Sequence, residues 1–231
     1  AGVTQIHYGN PTATTTSDPN TVYLFFDHFE GVAIDSGKWR VNSGGSASIS
    51  VDNSLFTLTS TSTTNWTHLT MVEYKPPTNS TIEARLRSRA QQDAFAAGVG
   101  VQGSSTGYIW AGESNLQFLF MDDKVSINHQ SKNAGTGGVE DLVYAGCPNN
   151  TWLIFQIQIQ PESCSYRVYS DQKASLLGAL NNNTDPPVGF GGNYYGFLGG
   201  RAGVMDFDYI LVRAYSATPP AAITFSGERE T

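Results

Sequence analysis

The chain has 231 residues, a net charge of -7 and a sequence pI near 4.9; 39% of it is hydrophobic, 12% aromatic and only 14% charged. Such a chain can bury a sizeable core and is not disordered. The acidic balance argues against nucleic acid as a partner, and no run of about 18 apolar residues suggests a membrane span.

In chain order, Thr4, Ile6 and Tyr8 alternate with Gln5 and His7, which predicts a half-buried strand. Gly9-Asn10-Pro11 ends it, and a Thr/Ser-rich linker runs to residue 21. Ala1, with no Met or signal peptide before it, reads as a processed or designed end. Strands are then predicted at 22–26, 46–51, 54–60, 68–74, 80–88, 94–102, 107–112, 116–121, 124–130, 152–160, 165–170 and 204–215. They are rich in Val, Ile, Phe, Tyr and Thr and are separated by Gly, Asn, Asp and Pro. Asp52-Asn53, Asp122-Asp123 and Pro161-Glu162-Ser163 read as hairpin turns. No segment sustains a helical period over eleven residues. The pattern predicts an all-β, antiparallel sandwich or jelly roll over 22–215. After Pro219-Pro220, Ala221, Ile223 and Phe225 form a second strand-like tail within 216–231.

Sequons at Asn65, Asn79, Asn149 and Asn182, with the low charge and Thr/Ser-rich linker, point to an extracellular glycoprotein. Cys147 and Cys164 flank the strand at 152–160. Nine extended steps hold its ends about 30 Å apart, whereas a disulfide needs Cα atoms within about 7 Å. The two thiols are therefore free, or paired between subunits, unless a loop folds back and lets them pair within the chain.

The stretch HYGNPTATTTSDPNTVYLFFDHFEG, followed by GKW, resembles a junction in prokaryotic cell-surface proteins. There the last strand of a small domain of unknown function precedes a concanavalin A-like, laminin G-like jelly roll. GVMDFDYILVRAY resembles the closing strand of that jelly roll, and PPAAITFSGERE the tail that follows it. The resemblance implies that Thr4 to Tyr8 is a strand without its own sheet. An unpaired strand is a template for pairing. Donated to a neighbour, with Ile223 and Phe225, it would join copies of the chain into a head-to-tail filament. Folded back on its own domain, it would not; a linker of about ten residues spans up to about 33 Å and permits either.

The resemblance further implies an optional structural calcium, with Asp27 or Glu30 and Asp208 as oxygen ligands; no other cofactor is required. Glycosidases of this fold carry a Glu-x-Asp-x-x-Glu array, and retaining chemistry needs two carboxyls about 5 Å apart. No predicted strand has that spacing: Glu83 stands alone, and Glu140-Asp141 point to opposite faces. The expectation is therefore a non-catalytic structural subunit of a surface filament; the alternative is a lectin-like adhesion module. Surface glycans would be taken by Trp110, Glu113 and Asn115, or by Asn193, Tyr194 and Tyr195, although Trp110 also suits a core position and the tyrosines a subunit contact. Trp39 and Trp152 are expected in the core. The G-x-G-x-x-G at 98–103 and the G-x-S-x-G at 103–107 precede no helix and are read as strand and turn positions.

Overall fold

The computed structural model describes residues 22–43, 46–72, 74–104, 115–121, 126–132, 138–146, 148–184 and 195–215. The terminal strands proposed for subunit joining, the 107–112 strand and the Asp122-Asp123 turn lie outside these.

Among the described residues every pair of named strands is antiparallel, as the turn spacing predicts. The strands are β1 (Phe25–Asp27), β2 (Trp39–Ser43), β3 (Ala47–Asp52), β4 (Leu55–Ser60), β5 (Thr67–Met71) and β6 (Ser80–Gln102). Then come β7 (Asn115–Met121), β8 (Ser126–Lys132), β9 (Gly138–Tyr144), β10 (Leu153–Ile159), β11 (Cys164–Ser170), β12 (Leu176–Asn183) and β13 (Tyr195–Ala214). A single 3-10 turn, Asp171–Lys173, is the helical element named among the described residues.

Two long strands organise the molecule. The first half of β6 pairs with the second half of β13, from Ser80↔Ala214 to Gln91↔Gly203. Their other halves pair from Ala96↔Arg201 to Gln102↔Tyr195. The register shifts between Arg201 and Gly203, where Ala202 has φ +52°, and both strands bend there. The sheet thus folds over into two layers. Sheet I runs β3–β4–β13–β6–β10–β11–β12, with β1 also on β13. Sheet II runs β2–β5–β13–β6–β7–β8–β9.

The core lies between the layers. Phe118 of β7 meets Phe155 of β10 at 4.5 Å between ring centroids, and Phe120 meets it at 4.8 Å. In β4, Phe56, Leu58 and Ser60 are buried while the residues between them are half-buried, the period-2 signature of a sheet with one face inward. The β3–β4 hairpin turns at Asn53 and Ser54, both with positive φ, as a two-residue primed turn requires. At the Pro161-Glu162-Ser163 turn the Gln160 N–H donates to the Ser163 carbonyl. Trp39 is core as expected, 2% exposed; its Nε1–H donates to Asp27 Oδ2 at 2.5 Å and its ring packs on Phe25 and Phe29.

Trp152 corrects its expectation. It leaves the core and lies under Arg85 and Arg87 on the outward face of sheet I, at 4.3 and 4.6 Å from its ring centroid.

Cys164 is fully buried and in no disulfide, and burial pushes its thiol up to about 12. Cys147 lies outside the described residues. A thiol this buried offers no surface to another chain. At neutral pH, iodoacetamide should label the Cys164 peptide only after denaturation. Peptide mapping before and after urea checks this, and labelling of the native protein would show that β11 opens.

Candidate functional site

Two polar faces point away from the core. The outward face of sheet I carries charge, and nearly all of it is matched. Asp206, 0% exposed, accepts from Arg87 Nε at 2.8 Å and from Thr57 Oγ1 at 2.8 Å, with Arg89 Nε at 3.0 Å. Arg85 donates to Asp171 and to Asp208. That hydrogen bond from Arg85 holds the Asp171 carboxyl below its ordinary range. Glu83, expected to stand alone, is buried and accepts from Lys173 Nζ at 2.6 Å, Gln156 Nε2 at 3.1 Å and Tyr209 OH at 3.1 Å. Burial first, and then the Glu83 charge, push the Tyr209 hydroxyl up. The turn Asp171–Lys173 supplies two of these partners, with Gln172 and Lys173 at positive φ. This face is a lattice of mutually satisfied ions.

The outward face of sheet II is different in kind. Its side chains are mostly neutral amides, hydroxyls and imidazole. Asn42 of β2 and Gln102 of β6 both donate to Thr70 Oγ1 of β5, at 2.9 and 3.1 Å. Gln102 Nε2 also sits 3.2 Å from His68 Nε2; an amide nitrogen can only donate, so the imidazole accepts there and keeps its proton on Nδ1. On β7, Gln117 donates to Asn115 Oδ1 at 2.9 Å. On β8, Asn128 and Gln130 each donate to one oxygen of Glu140 on β9, the second at 3.0 Å. His68, Thr70, Gln102, Asn115 and Gln117 are at most 1% exposed, although they face away from the core.

Between these amides the sheet is floored by glycine. Gly98 of β6 pairs with Gly199 of β13, so two adjacent strands present no side chain between Leu119 and His68. The G-x-G pattern is thus a strand feature, as expected. Trp66, Ala96, Leu119 and Phe197 form a small apolar cluster on this same face, apart from the main core.

Of the residues expected to bind glycan, Asn115 lies in this face, and Tyr195 stands at the adjacent end of β13 with Lys75 Nζ 4.8 Å from its ring centroid. Trp110, Glu113, Asn193 and Tyr194 lie outside the described residues. The expected calcium ligands are committed separately. Asp27 accepts from Phe29 N and Trp39 Nε1, Glu30 pairs with His28 at 2.7 Å, and Asp208 pairs with Arg85. Among the described residues no group of three His, Cys, Asp or Glu could hold a metal ion. Asn65, Asn79 and Asn149 are exposed. Among the described residues no helix is long and apolar enough to cross a membrane.

Sequence reasoning missed Gln117, Asn128, Gln130 and Glu140. The signal was present: Asn115-x-Gln117 and Asn128-x-Gln130 repeat one pattern on two strands that pair directly. At this i, i+2 spacing the glycosidase array has carboxylates, and this chain has amides. The expectation that Glu140 and Asp141 face opposite ways holds. Glu140 turns to Asn128 and Gln130, and Asp141 to His129 and Asn183.

Residues 2–42 match the model of a family described as a domain of unknown function, DUF2341. No curated protein matches the chain. Solved structures share the fold. One from work on endo-acting O-glycanases of the human gut microbiota, which initiate mucin breakdown, has a TM-score of 0.64 at 10% identity, over 84% of this chain and 100% of that one. A pseudo β-1,3-glucanase and immunostimulatory antigen of Mycobacterium tuberculosis gives 0.58 at 14% identity, over 84% and 99%. The catalytic domain of an endo-1,3-β-glucanase (laminarinase) from Thermotoga petrophila gives 0.59 at 14% identity, over 82% and 96%. At these identities the likeness shows the fold alone: a concanavalin A-like jelly roll. The expectation of a non-catalytic filament subunit is corrected by the same finding, since solved structures that share this fold come from work on glycan-cleaving enzymes and a pseudo-glucanase.

Proposed function

We propose that this chain is a carbohydrate-active protein that takes a glycan along the outward face of sheet II, with Glu140 as its acid–base carboxylate. One observation carries the reading: a buried row of Asn, Gln, Thr and His spans β5, β6, β7 and β8 on the face that leaves the core, with half-buried Asn42 of β2 at its end. Neutral amides and hydroxyls, donors and acceptors together, suit sugar hydroxyls, which are themselves both. Structures of the same fold that act on glycans support it. Glu140 is exposed at the edge of the row, and each of its oxygens accepts one amide hydrogen bond. Hydrolysis by the two-carboxyl route needs a second carboxyl. Glu113, two residues before Asn115 in the sequence, lies outside the described residues and is assayed beside it. The extracellular setting expected from the sequons belongs to the same reading.

The test is a screen for binding and for release of reducing ends, with β-1,3-glucan and mucin O-glycans first. The wild-type chain is expected to bind and cleave at least one. Glu140→Gln should keep binding and lower the rate at least ~100-fold, the usual scale of general acid–base catalysis. An unchanged rate would move the chemistry away from Glu140. Binding without cleavage would leave the groove and remove the catalytic half of the proposal, and no binding to any glycan would remove the whole reading.

A further inference from the structure

We infer that the sheet II face holds a pocket for the acetamido group of an N-acetylated amino sugar, built from Trp66, Gln117 and Asn128. The inference rests on the glycan reading above and names the sugar class that the same face selects.

The polar atoms on this face that are buried without a hydrogen-bond partner include Trp66 Nε1, Gln117 Oε1 and Asn128 Oδ1. Their residues are 4%, 0% and 3% exposed. Nearly all buried polar atoms in folded proteins are paired, so a cluster of unpartnered atoms such as these calls for an occupant. Their orientation follows from their neighbours. The Glu140 carboxylate only accepts, so the Asn128 amide turns its nitrogen there and its oxygen away. Gln117 likewise spends its nitrogen on Asn115 and leaves its oxygen unpartnered.

These atoms lie around an apolar floor. Leu119 pairs directly with Asn128, and Gln117 is two residues from Leu119 on the same strand face. Trp66 packs with Leu119, Ala96 and Phe197. Trp66, Gln117, Asn128 and the floor together offer one N–H donor, two carbonyl acceptors and a hydrocarbon patch. An acetamido group has one carbonyl, one N–H and one methyl. Its carbonyl accepts from the indole N–H, its N–H donates to one amide oxygen, and its methyl lies on Leu119 and Ala96. The other amide oxygen takes a sugar hydroxyl. A plain hydroxyl at that carbon is a weaker acceptor for the indole N–H than an amide carbonyl and brings no methyl to the apolar floor.

The test is calorimetric titration of the full chain with three β-1,4-linked oligosaccharides of equal length. They carry an acetamido group (chito-oligosaccharide), a free amine (its deacetylated form) or a hydroxyl (cello-oligosaccharide) at the same carbon. The acetylated oligomer is expected to bind at least tenfold tighter than the other two. Trp66→Phe, which keeps an aromatic ring and removes the N–H, should narrow that preference to under threefold. Because the variant could misfold, the wild type gives a second readout: the assigned Trp66 indole N–H resonance should move with the acetylated oligomer and stay in place with the cello-oligosaccharide. Equal binding of the acetylated and hydroxyl oligomers, or tighter binding of the amine, overturns the inference and leaves the glycan reading standing. Failure of every glycan, the β-1,3-glucan included, takes both down.

Discussion

Replacing Arg87 and Arg89 together by Met is expected to cost about 3–5 kcal/mol of stability, because it strands the Asp206 carboxylate. Asp206 has no solvent exposure and depends on these two guanidinium groups and on Thr57. One hydroxyl donor cannot replace two cations around a desolvated anion. Each single substitution leaves the other arginine in place, so each should cost much less than half of the double. Arg87→Met also removes a cation from the Trp152 ring, a loss of about 0.5–1 kcal/mol at a partly exposed site. Urea denaturation of the two singles and the double closes the cycle. The double should melt on the order of 10 °C below the wild type, at roughly 2–4 °C per kcal/mol for a domain of this size. Simple additivity would mean that Asp206 finds another way to discharge, and that the ion lattice of sheet I is not what holds β6, β13 and β4 in register.

The same lattice shows where sequence reasoning stops. The strand composition and turn residues were enough for an antiparallel sandwich, because alternation such as that of β4 is a local signal. They were not enough for β9, where Glu140-Asp141 interrupts the apolar pattern; each carboxylate there has its own partner from a different strand. β6 read as two strands because Gln91, Gln92 and Asp93 are polar, yet it runs unbroken where it bends from one layer to the other. Glu83 looked isolated because Gln156, Lys173 and Tyr209 are far from it in sequence. Trp152 looked like core because it sits at the head of an apolar strand; two arginines two residues apart on β6 draw it outward. The amide row failed to register for a related reason. Asn and Gln at alternate strand positions read as ordinary solvent-facing residues. Only the pairing of β7 with β8 makes the two Asn-x-Gln runs adjacent, and only burial sets them apart from solvent-facing residues.

Gly98→Ala is expected to be the most damaging small substitution in sheet II. A Cβ on Gly98 would lie 2.0 Å from the Phe118 carbonyl oxygen and 3.0 Å from the Leu119 Cα, both backbone atoms that no rotamer change can move. Gly98 sits in a central strand with β13 on one side and β7 on the other, so relief has to come from displacing β7. Overpacking of this kind costs about 1–3 kcal/mol and sometimes more; with backbone as the obstacle, the upper end is expected. Gly31→Ala is the matched control. It too is a glycine-to-alanine change, but nothing lies within 4 Å and only its φ of +93° resists, a strain of roughly 1–2 kcal/mol. Gly98→Ala should exceed it in urea denaturation. It should also weaken glycan binding at least tenfold, because β7 carries Asn115 and Gln117. Gly31→Ala should leave binding unchanged. A Gly98→Ala protein that lost stability but kept its affinity would show that the amide row is not held in place by β7. The groove would then have to be sought nearer β5 and β2, around His68, Thr70 and Asn42, whose pairing does not pass through that strand.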